Sequence, residues 1–522
     1  MTPVLEPKWQ YLTGLGSTVL ITYLALLLLI SIYGLHRYWL VFLFCLHSKR
    51  QARPAGCFNM LPSVTVQLPM YNEGPVARRI IDAACNIDYP ADKIQIQVLD
   101  DSTDDSQEIA RQCCQSWSAR GVNIQYLHRA TRAGYKAGAL RDATPLATGE
   151  FIAMFDADFL PPSRFLQEVI HYFTDPQVGM VQTRWTHLNR TDSLLTRCQA
   201  LFLDGHFVIE HTARYWSGRW VHFNGTAGIW RRQTIQSAGG WHHDTLTEDL
   251  DLSYRGQLAG WRYVYLSDVT CPAELPPEIN AFKTQQHRWT KGSIQAAVKL
   301  LPRLLLASAP LRAKIEAFFH LTCPMVYLFV TLLILLLLPM LVINRHRFEH
   351  LTLAATLLTA MCMTFGTTSV AVFTLTSQYA QRRSVLGTLA QLPLMMSLGI
   401  GISVNNAVAC IEALIGYRSP FVRTPKYNVQ TGTKAPSFSS TIGAIKPEMP
   451  MSSFKVGMAL FEIVMGLYVL ACIYLAAQQK NSVISVPFLV LFACGYFYVG
   501  FNSLFLYWQS RRMARQWLPQ PS

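Results

Sequence analysis

Long apolar runs on either side of a hydrophilic block constrain this chain more than any other feature. One run covers about residues 15–46, and four more follow Lys314, at 319–343, 351–376, 456–477 and 483–508. Each meets the roughly 20 residues that a helix needs to cross a bilayer. The first is too long for a signal peptide and is followed by Lys49-Arg50, so it reads as a retained anchor. A sixth stretch, 386–415, is apolar but broken by Pro393, several glycines and Asn405-Asn406, and it closes with Glu412. If it crossed, the basic loop 417–434 would lie outside. If it lies in the interface or re-enters, that loop and the Arg-rich C-terminus both stay cytoplasmic. Basic residues gather beside the spans (Lys49, Arg50, Arg53; Arg382, Arg383; Arg511, Arg512, Arg515), which favours the second arrangement. Five crossings are therefore expected, with the N-terminus out and the C-terminus in. The same bias explains the net charge of +14 without nucleic acid, which is not an expected partner. The twelve cysteines form no CxxC pair and no metal-ligand spacing, as buried free thiols of a reducing compartment would.

The hydrophilic block, about 51–290, alternates short β-rich runs with helical patterns. Strands are expected at 63–68, 94–99, 123–128, 151–155 and 178–183. Between the second and third, Ile109, Cys113 and Trp117 recur at helical spacing before Gly121. Strands alternating with helices indicate an α/β fold with a mostly parallel sheet. The expected division is an anchor (1–50), a cytoplasmic catalytic domain (51–275), amphipathic interface helices (276–317) and a C-terminal membrane bundle (318–510). That bundle would carry the interfacial segment 386–415 and a cytoplasmic loop 417–455, and a tail (511–522) follows it.

Acidic runs mark the ends of two of these strands. Asp100-Asp101 opens Asp-Asp-Ser-Thr-Asp-Asp105, where the side chains could simply cap the next helix. Four acids in six positions, however, repel one another unless a cation or a ligand's donors offset them. Asp156-Ala-Asp158 follows the strand 151–155. On a strand its carboxylates would share one face, and as hard oxygen donors they suit a divalent cation and, through it, a diphosphate. The bland alternative is a polar turn closing the strand. Open α/β sheets bind ligands at the carboxyl edge, which is where both runs would lie. Gln67–Glu73 follows the first strand as a loop able to hold a base and ribose, or as an ordinary turn. Arg132–Leu140 puts glycines and Lys136 at a helix start, suited to phosphate or to solvent. Thr247-Glu-Asp249 lies downstream of Asn224-Gly-Thr-Ala-Gly228. A carboxylate there could deprotonate a hydroxyl, although Thr245 and Glu248 also have the spacing of a capping box. Gln285-Gln-His-Arg-Trp289 leads into the membrane and alone would pass for an interface helix.

In this order the motifs resemble the processive family 2 glycosyltransferases of the cellulose synthase and hyaluronan synthase superfamily, over about residues 62–293. Residues 97–104, 132–140 and 223–228 look most like the plant cellulose-synthase-like mannan and glucan synthases. Phe421-Val-Arg-Thr-Pro-Lys426 is similar to the gating loop of bacterial cellulose synthase, with Arg423 in place of an apolar residue. The resemblance implies a GT-A (Rossmann-like) cytoplasmic domain inserted between transmembrane α-helices. Asp100, Asp101, Glu73, Lys136, Asp156, Gln285 and Arg288 would bind a nucleotide-sugar donor, UDP-glucose or GDP-mannose. Asp156 and Asp158 would hold Mg²⁺ or Mn²⁺, Asp249 would be the general base supported by Glu248, and Trp289, Asn224, Gly225 and Thr226 would meet the acceptor. Phe421, Arg423, Thr424 and Lys426 would form the gating loop. The implied activity is inverting transfer to a β-linked polysaccharide, with secretion of the chain. It would reside in a plasma or inner membrane in a bacterium and in the Golgi in a eukaryote. The rivals are transfer of one sugar to a lipid acceptor, and an inactive transferase-like scaffold or transporter. Few ionisable groups lie in the spans, Glu462 being the clearest, which speaks against a pump.

Overall fold

The computed structural model describes residues 8–347, 353–419, 423–428, 453–478 and 485–516. The chain divides into two compact units, one of residues 40–322 with 412–445, the other of residues 1–39, 323–411 and 446–522.

The first unit is built on seven strands: β1 (Val64–Met70), β2 (Ile94–Asp100), β3 (Ile124–His128), β4 (Phe151–Met154), β5 (Val178–His187), β6 (Gly228–Arg231) and β7 (Arg262–Ala273). They lie in the order β3-β2-β1-β4-β6-β5-β7, and β6 runs antiparallel to both its neighbours. The five expected strands are thus present, while β6 and β7 are additions. Alternation along β1 explains the layering. Val64, Val66, Leu68 and Met70 point into the main apolar core. Thr65 and Gln67 face the other way and bond to the neighbouring strand in a buried polar ladder. Thr65 Oγ1 donates to Gln95 Oε1 at 2.8 Å, Gln67 Nε2 to Gln97 Oε1 at 3.0 Å and Gln95 Nε2 to Gln125 Oε1 at 3.1 Å. Buried amides without such partners would each cost about 1–3 kcal/mol.

Helices cover both faces. In chain order, after α1 (Lys8–His47), which belongs mostly to the second unit, they are α2 (Gly74–Cys85), α3 (Ser106–Ser118), α4 (Tyr135–Ala143), α5 (Phe165–Ile170) and α6 (Leu194–Asp204). A π-helical turn, Gly205–His211, joins α6 to α7 (Thr212–Trp216). Then come α8 (Arg232–Ser237), α9 (Glu248–Leu258), α10 (Ile279–Leu306) and α11 (Leu311–Thr322). Ser193 and Thr196 form a reciprocal capping box that starts α6. The capping box that the spacing of Thr245 and Glu248 allows does not form. Thr247 occupies the cap without a side-chain bond, and Thr245 Oγ1 donates instead to Thr247 O.

Two packing details place α10 at the site. Gly292 faces Thr247, where an added Cβ would lie 2.5 Å from Thr247 Cγ2, so the absence of a side chain permits the approach. Lys291 is fully buried, its Nζ bonded to Glu412 at 2.7 Å and to Ser419 Oγ at 2.8 Å. Those bonds tie Glu412 and Ser419 to α10.

In the second unit, five helical segments are long and apolar enough to cross a membrane: Gly16–His47, Met325–Val342, Ala360–Ala380, Ser453–Ala477 and Val486–Arg512. Val385–Gly401 and Ser403–Leu414, bent by 41°, form a further broken span or a re-entrant pair, the same ambiguity that the sequence leaves. Small residues let these helices touch. An added Cβ on Gly495 would lie 2.1 Å from Ser397 O, and one on Gly34 would lie 2.4 Å from Phe365 O. Ser31 Oγ reaches Cys362 O at 2.8 Å within this unit. All twelve cysteines are free thiols.

Within the first unit, Arg214 on α7 and Glu316 on α11 form an ion pair at 2.9 Å, each side chain 2% exposed. Removing Glu316 leaves the buried Arg214 with Glu210 alone, and a loss of this kind costs up to about 3–5 kcal/mol. Glu316→Ala is expected to lower the denaturation midpoint of the detergent-solubilised protein accordingly, followed by tryptophan fluorescence.

Candidate functional site

A cleft opens at the carboxyl ends of β1, β2 and β4. Its walls come from the loops after those strands, the 224–228 turn, the N-terminus of α9, the first half of α10 and residues 423–426. Tyr71 and Glu73 follow β1. Asp101 follows β2 and is gripped by Arg129, with Nε 2.8 Å from Oδ1 and Nη2 2.5 Å from Oδ2. Arg129 also bonds Asp142 and the carbonyls of Ala133 and Tyr135, so it fixes the loop leading into α4. In that loop Arg132 lies over the Tyr71 ring at 3.4 Å, a flat cationic–aromatic surface beside Glu73.

Asp156 and Asp158 stand in a turn. Strand β4 ends at Met154 because the Asp156 N–H goes to Thr226 Oγ1 at 2.8 Å instead of a strand partner, and Phe159 N closes a turn on Asp156 O. The expectation that both carboxylates share one face of a strand is corrected accordingly. Lys136 Nζ donates to Asp156 Oδ1 at 2.6 Å and to Gly225 O at 2.8 Å, while Lys426 Nζ donates to Asp158 Oδ2. The Tyr427 N–H bonds Glu274 Oε1 at 2.7 Å, and Glu274 also pairs with Arg79 at 3.3 Å. Two hard carboxylates, each already facing an ammonium group, are a donor set into which a divalent cation fits by replacing lysine charge with its own.

Asp249 sits in the first turn of α9, its Oδ1 accepting the Leu250 N–H at 2.8 Å. Burial raises its pKa to about 7, with the Glu248 carboxylate adding to the shift and Lys136 opposing it. Burial likewise lifts Glu73 to about 7, against Lys426 and with Asp158. For Lys136 burial works against the charge, but Asp156 and Glu248 outweigh it and hold the pKa above the usual lysine value. Burial lowers Arg288, which the carboxylates of Glu248, Asp156, Asp158 and Asp249 partly offset. An arginine remains charged under such a shift. Gln285, Arg288 and Trp289 project from α10 into the same space.

Glu73, Asp101, Lys136, Asp156, Asp158, Asn224, Gly225, Glu248, Asp249, Gln285, Arg288, Trp289, Arg423, Thr424 and Lys426 therefore line one cleft. Two residues singled out in the sequence do not line it. Asp100 is fully buried beneath it, accepting from Tyr126 OH at 2.6 Å and from Ser102 N at 2.9 Å, which leaves it to hold the loop rather than a ligand. Thr226 is also fully buried and acts on the Asp156 backbone. Phe421 lies outside the described residues. Sequence reasoning missed Arg129, Trp185 and Glu274 as site residues, and it reached Tyr71 only as part of the 67–73 loop. Arg129 carries no motif of its own, and only the fold brings it to Asp101.

The family described as glycosyltransferase like family 2 matches residues 62–292. A probable glucomannan 4-beta-mannosyltransferase 6 of Oryza sativa subsp. japonica is 43% identical over 251 residues, covering 47% of this chain and 44% of the relative. Glucomannan 4-beta-mannosyltransferase 1 of Cyamopsis tetragonoloba is 42% identical over 249 residues, 47% of each chain. The chain spans less than half the length of these curated relatives. Among solved structures, the mannosyltransferase PcManGT of Pyrobaculum calidifontis, in complex with GDP-Man and Mn²⁺, superposes with a TM-score of 0.51 at 20% identity. The match covers 77% of this chain and all of that one. That likeness establishes the GT-A fold.

Gly225 has φ +81°, and an added Cβ would lie 3.0 Å from Asp249 Oδ2 and 3.5 Å from Lys136 Nζ. Gly225→Ala is expected to lower turnover at this cleft about 10- to 100-fold, because small displacements of reacting groups cost that much. Steady-state kinetics on the purified variant would measure it.

Proposed function

We propose that this chain, with its family 2 glycosyltransferase domain at residues 62–292, transfers a hexose from a nucleotide-sugar donor to a growing β-linked polysaccharide at a membrane. The observation that carries the proposal is the convergence of Asp101, Asp156, Asp158, Asp249, Arg288 and Trp289 on one cleft at the carboxyl edge of the sheet. GDP-mannose is the favoured donor, with UDP-glucose second, since the relatives above are named as mannosyltransferases and the solved neighbour carries GDP-Man.

The mechanism follows from which groups carry charge. The nucleoside lies against Tyr71, Glu73 and Asp101, where the Arg132–Tyr71 surface offers stacking and the carboxylates accept hydrogen bonds. Asp156 and Asp158 would hold Mg²⁺ or Mn²⁺, whose charge would offset that of the diphosphate. Lys136, Arg288 and Lys426 add positive charge where the leaving nucleoside diphosphate gains negative charge, which is stabilisation at the point of charge development. Trp289 offers an apolar face to the acceptor sugar. Asp249 takes the proton of the acceptor hydroxyl, and that oxygen attacks the anomeric carbon as its bond to the diphosphate breaks. Attack opposite the leaving group inverts the centre and gives a β-linkage. Burial, with Glu248 adding to it, raises the proton affinity of Asp249 towards neutrality, which suits a general base. The apolar helices of the second unit would anchor the enzyme, with the catalytic domain and the C-terminus cytoplasmic and the product passing outward.

Asp249→Asn is expected to reduce turnover at least about 1000-fold, while the affinity for nucleoside diphosphate changes less than about threefold. Unchanged turnover would reject Asp249 as the base. Because the base must be ionised, kcat/KM of the wild type should fall about tenfold per pH unit below about 7 and level off above it. A profile flat from pH 5 to 8 would remove Asp249 from that role. The donor is tested by nucleotide release from GDP-mannose and UDP-glucose separately, with Mn²⁺ or Mg²⁺ and with product sizing. Long glycosidase-sensitive chains support a polysaccharide synthase, and a lipid-extractable single-sugar product would replace it with a lipid glycosyltransferase.

A further inference from the structure

Behind the cleft wall lies a cluster of four histidines that the transfer reaction does not use directly. His206 and His211 come from the π-helical turn, His222 from the segment before the 224–228 turn and His320 from α11. Ring centroids are 4.7 Å apart for His206–His211, 4.7 Å for His211–His222 and 4.4 Å for His222–His320. Nitrogens of the first three lie within 4.8 Å of one another, a spacing that suggests a metal site. The carboxamide of Asn224 stands between two of those rings. Its Oδ1 is 2.9 Å from His206 Nε2, and its Nδ2 is 2.9 Å from His211 Nε2. His206 Nδ1 is held in turn by Glu210 at 2.9 Å, and Glu210 by Arg214 at 3.2 Å. Burial, aided by nearby His206 and His222, keeps His211 uncharged, so its Nε2 can accept the Asn224 amide proton. π-helical turns are rare and recur at functional sites, and this one brings His206 and His211 to the same amide.

The held segment is unusual in its backbone. Gly225 has φ +81° and Ala227 has φ +55°, the latter in the left-handed region that an alanine seldom occupies. Such a conformation persists only when its surroundings over-determine it. Three contacts of the cleft depend on it. Gly225 O receives Lys136 Nζ, Thr226 Oγ1 receives the Asp156 N–H, and Asp249 Oδ2 abuts Gly225.

We propose that His206 and His211 are positioning residues of the transfer reaction. They grip the Asn224 carboxamide from both ends and so hold the 224–227 turn on which Lys136, Asp156 and Asp249 are set. The link to transfer rests on the function proposed above, whereas the clamp itself does not.

The test uses the full chain in detergent. Amide hydrogen exchange is measured on peptides covering residues 222–229, and the dissociation constants of GDP and UDP are measured with Mn²⁺. His206→Leu is expected to speed exchange in that segment at least tenfold and to raise the nucleotide dissociation constant at least fivefold. His206→Gln, which can still donate to Asn224 Oδ1, restores both to within about threefold of the wild type. Asn224→Ala cuts the same bonds from the other end and keeps the test available if His206→Leu does not fold. Unchanged exchange at 222–229 in both variants overturns the clamp. So does faster exchange spread equally through β1 and β2 with an unaltered dissociation constant, which is general destabilisation. One equivalent of zinc per chain, lost in His211→Gln, also overturns it by giving the imidazoles a metal to hold. If neither nucleotide binds the wild type while exchange responds as expected, the clamp stands and the proposed function falls.

Discussion

Charge compensation at the carboxyl edge of the sheet is the constraint on which the rest of this structure depends. Six carboxylates, Glu73, Asp101, Asp156, Asp158, Glu248 and Asp249, line one cleft, and like charges gathered so closely in a partly buried site would repel strongly. Arg132, Lys136, Arg288, Arg423 and Lys426 line the same cleft, and Arg129 grips Asp101 from behind. The two signs nearly balance. A site balanced in this way can admit a diphosphate together with a divalent cation at little net electrostatic cost, whereas either alone would leave a buried excess of one sign.

The fold supplies these charges from separated stretches of chain, and each arrives by a different device. Parallel pairing of β1 with β2 and β4 brings the two acidic loops side by side, from Met70↔Asp100 to Gln67↔Met154. The antiparallel β6 carries the 224–228 turn back against the end of β4, where Thr226 takes the Asp156 N–H and ends the strand. Gly292 lets α10 approach Thr247, so Arg288 and Trp289 reach the N-terminus of α9. The Lys291–Glu412 pair holds the start of the segment that delivers Lys426. Removing any one of these devices would leave the local motif intact and its partner elsewhere.

The polar groups beneath the cleft are the counterpart of its charged rim. The Thr65–Gln95 and Gln67–Gln97 bonds run through the interior of the sheet under the site, and Asp100 is satisfied by Tyr126 and Ser102. Buried and mutually bonded, these groups resist displacement because each would lose a partner in a medium that offers no water. The loops above them are therefore carried on a rigid floor.

Periodicity and the acidic runs in the sequence were sufficient for the α/β class and for five of the seven strands, and the family resemblance added most of the other residues that line the cleft. Those features are local: alternation sets a strand, and paired acids after a strand set a sheet-edge site. Strands β6 and β7 were not legible, since one is only four residues long and the other alternates weakly. Nor were the roles of Asp100 and Asp101 separable by type, because identical neighbours point to opposite sides of the chain and only the surrounding packing decides which faces the ligand. Tertiary structure alone decided that Asp100 is bonded beneath the loop while Asp101 meets Arg129 in the cleft. It alone joined Lys426 to Asp158 and gathered four histidines behind Asn224, contacts between residues up to 268 positions apart. Side-chain chemistry is written along the chain; which charges meet is set by how the sheet and its helices close in space.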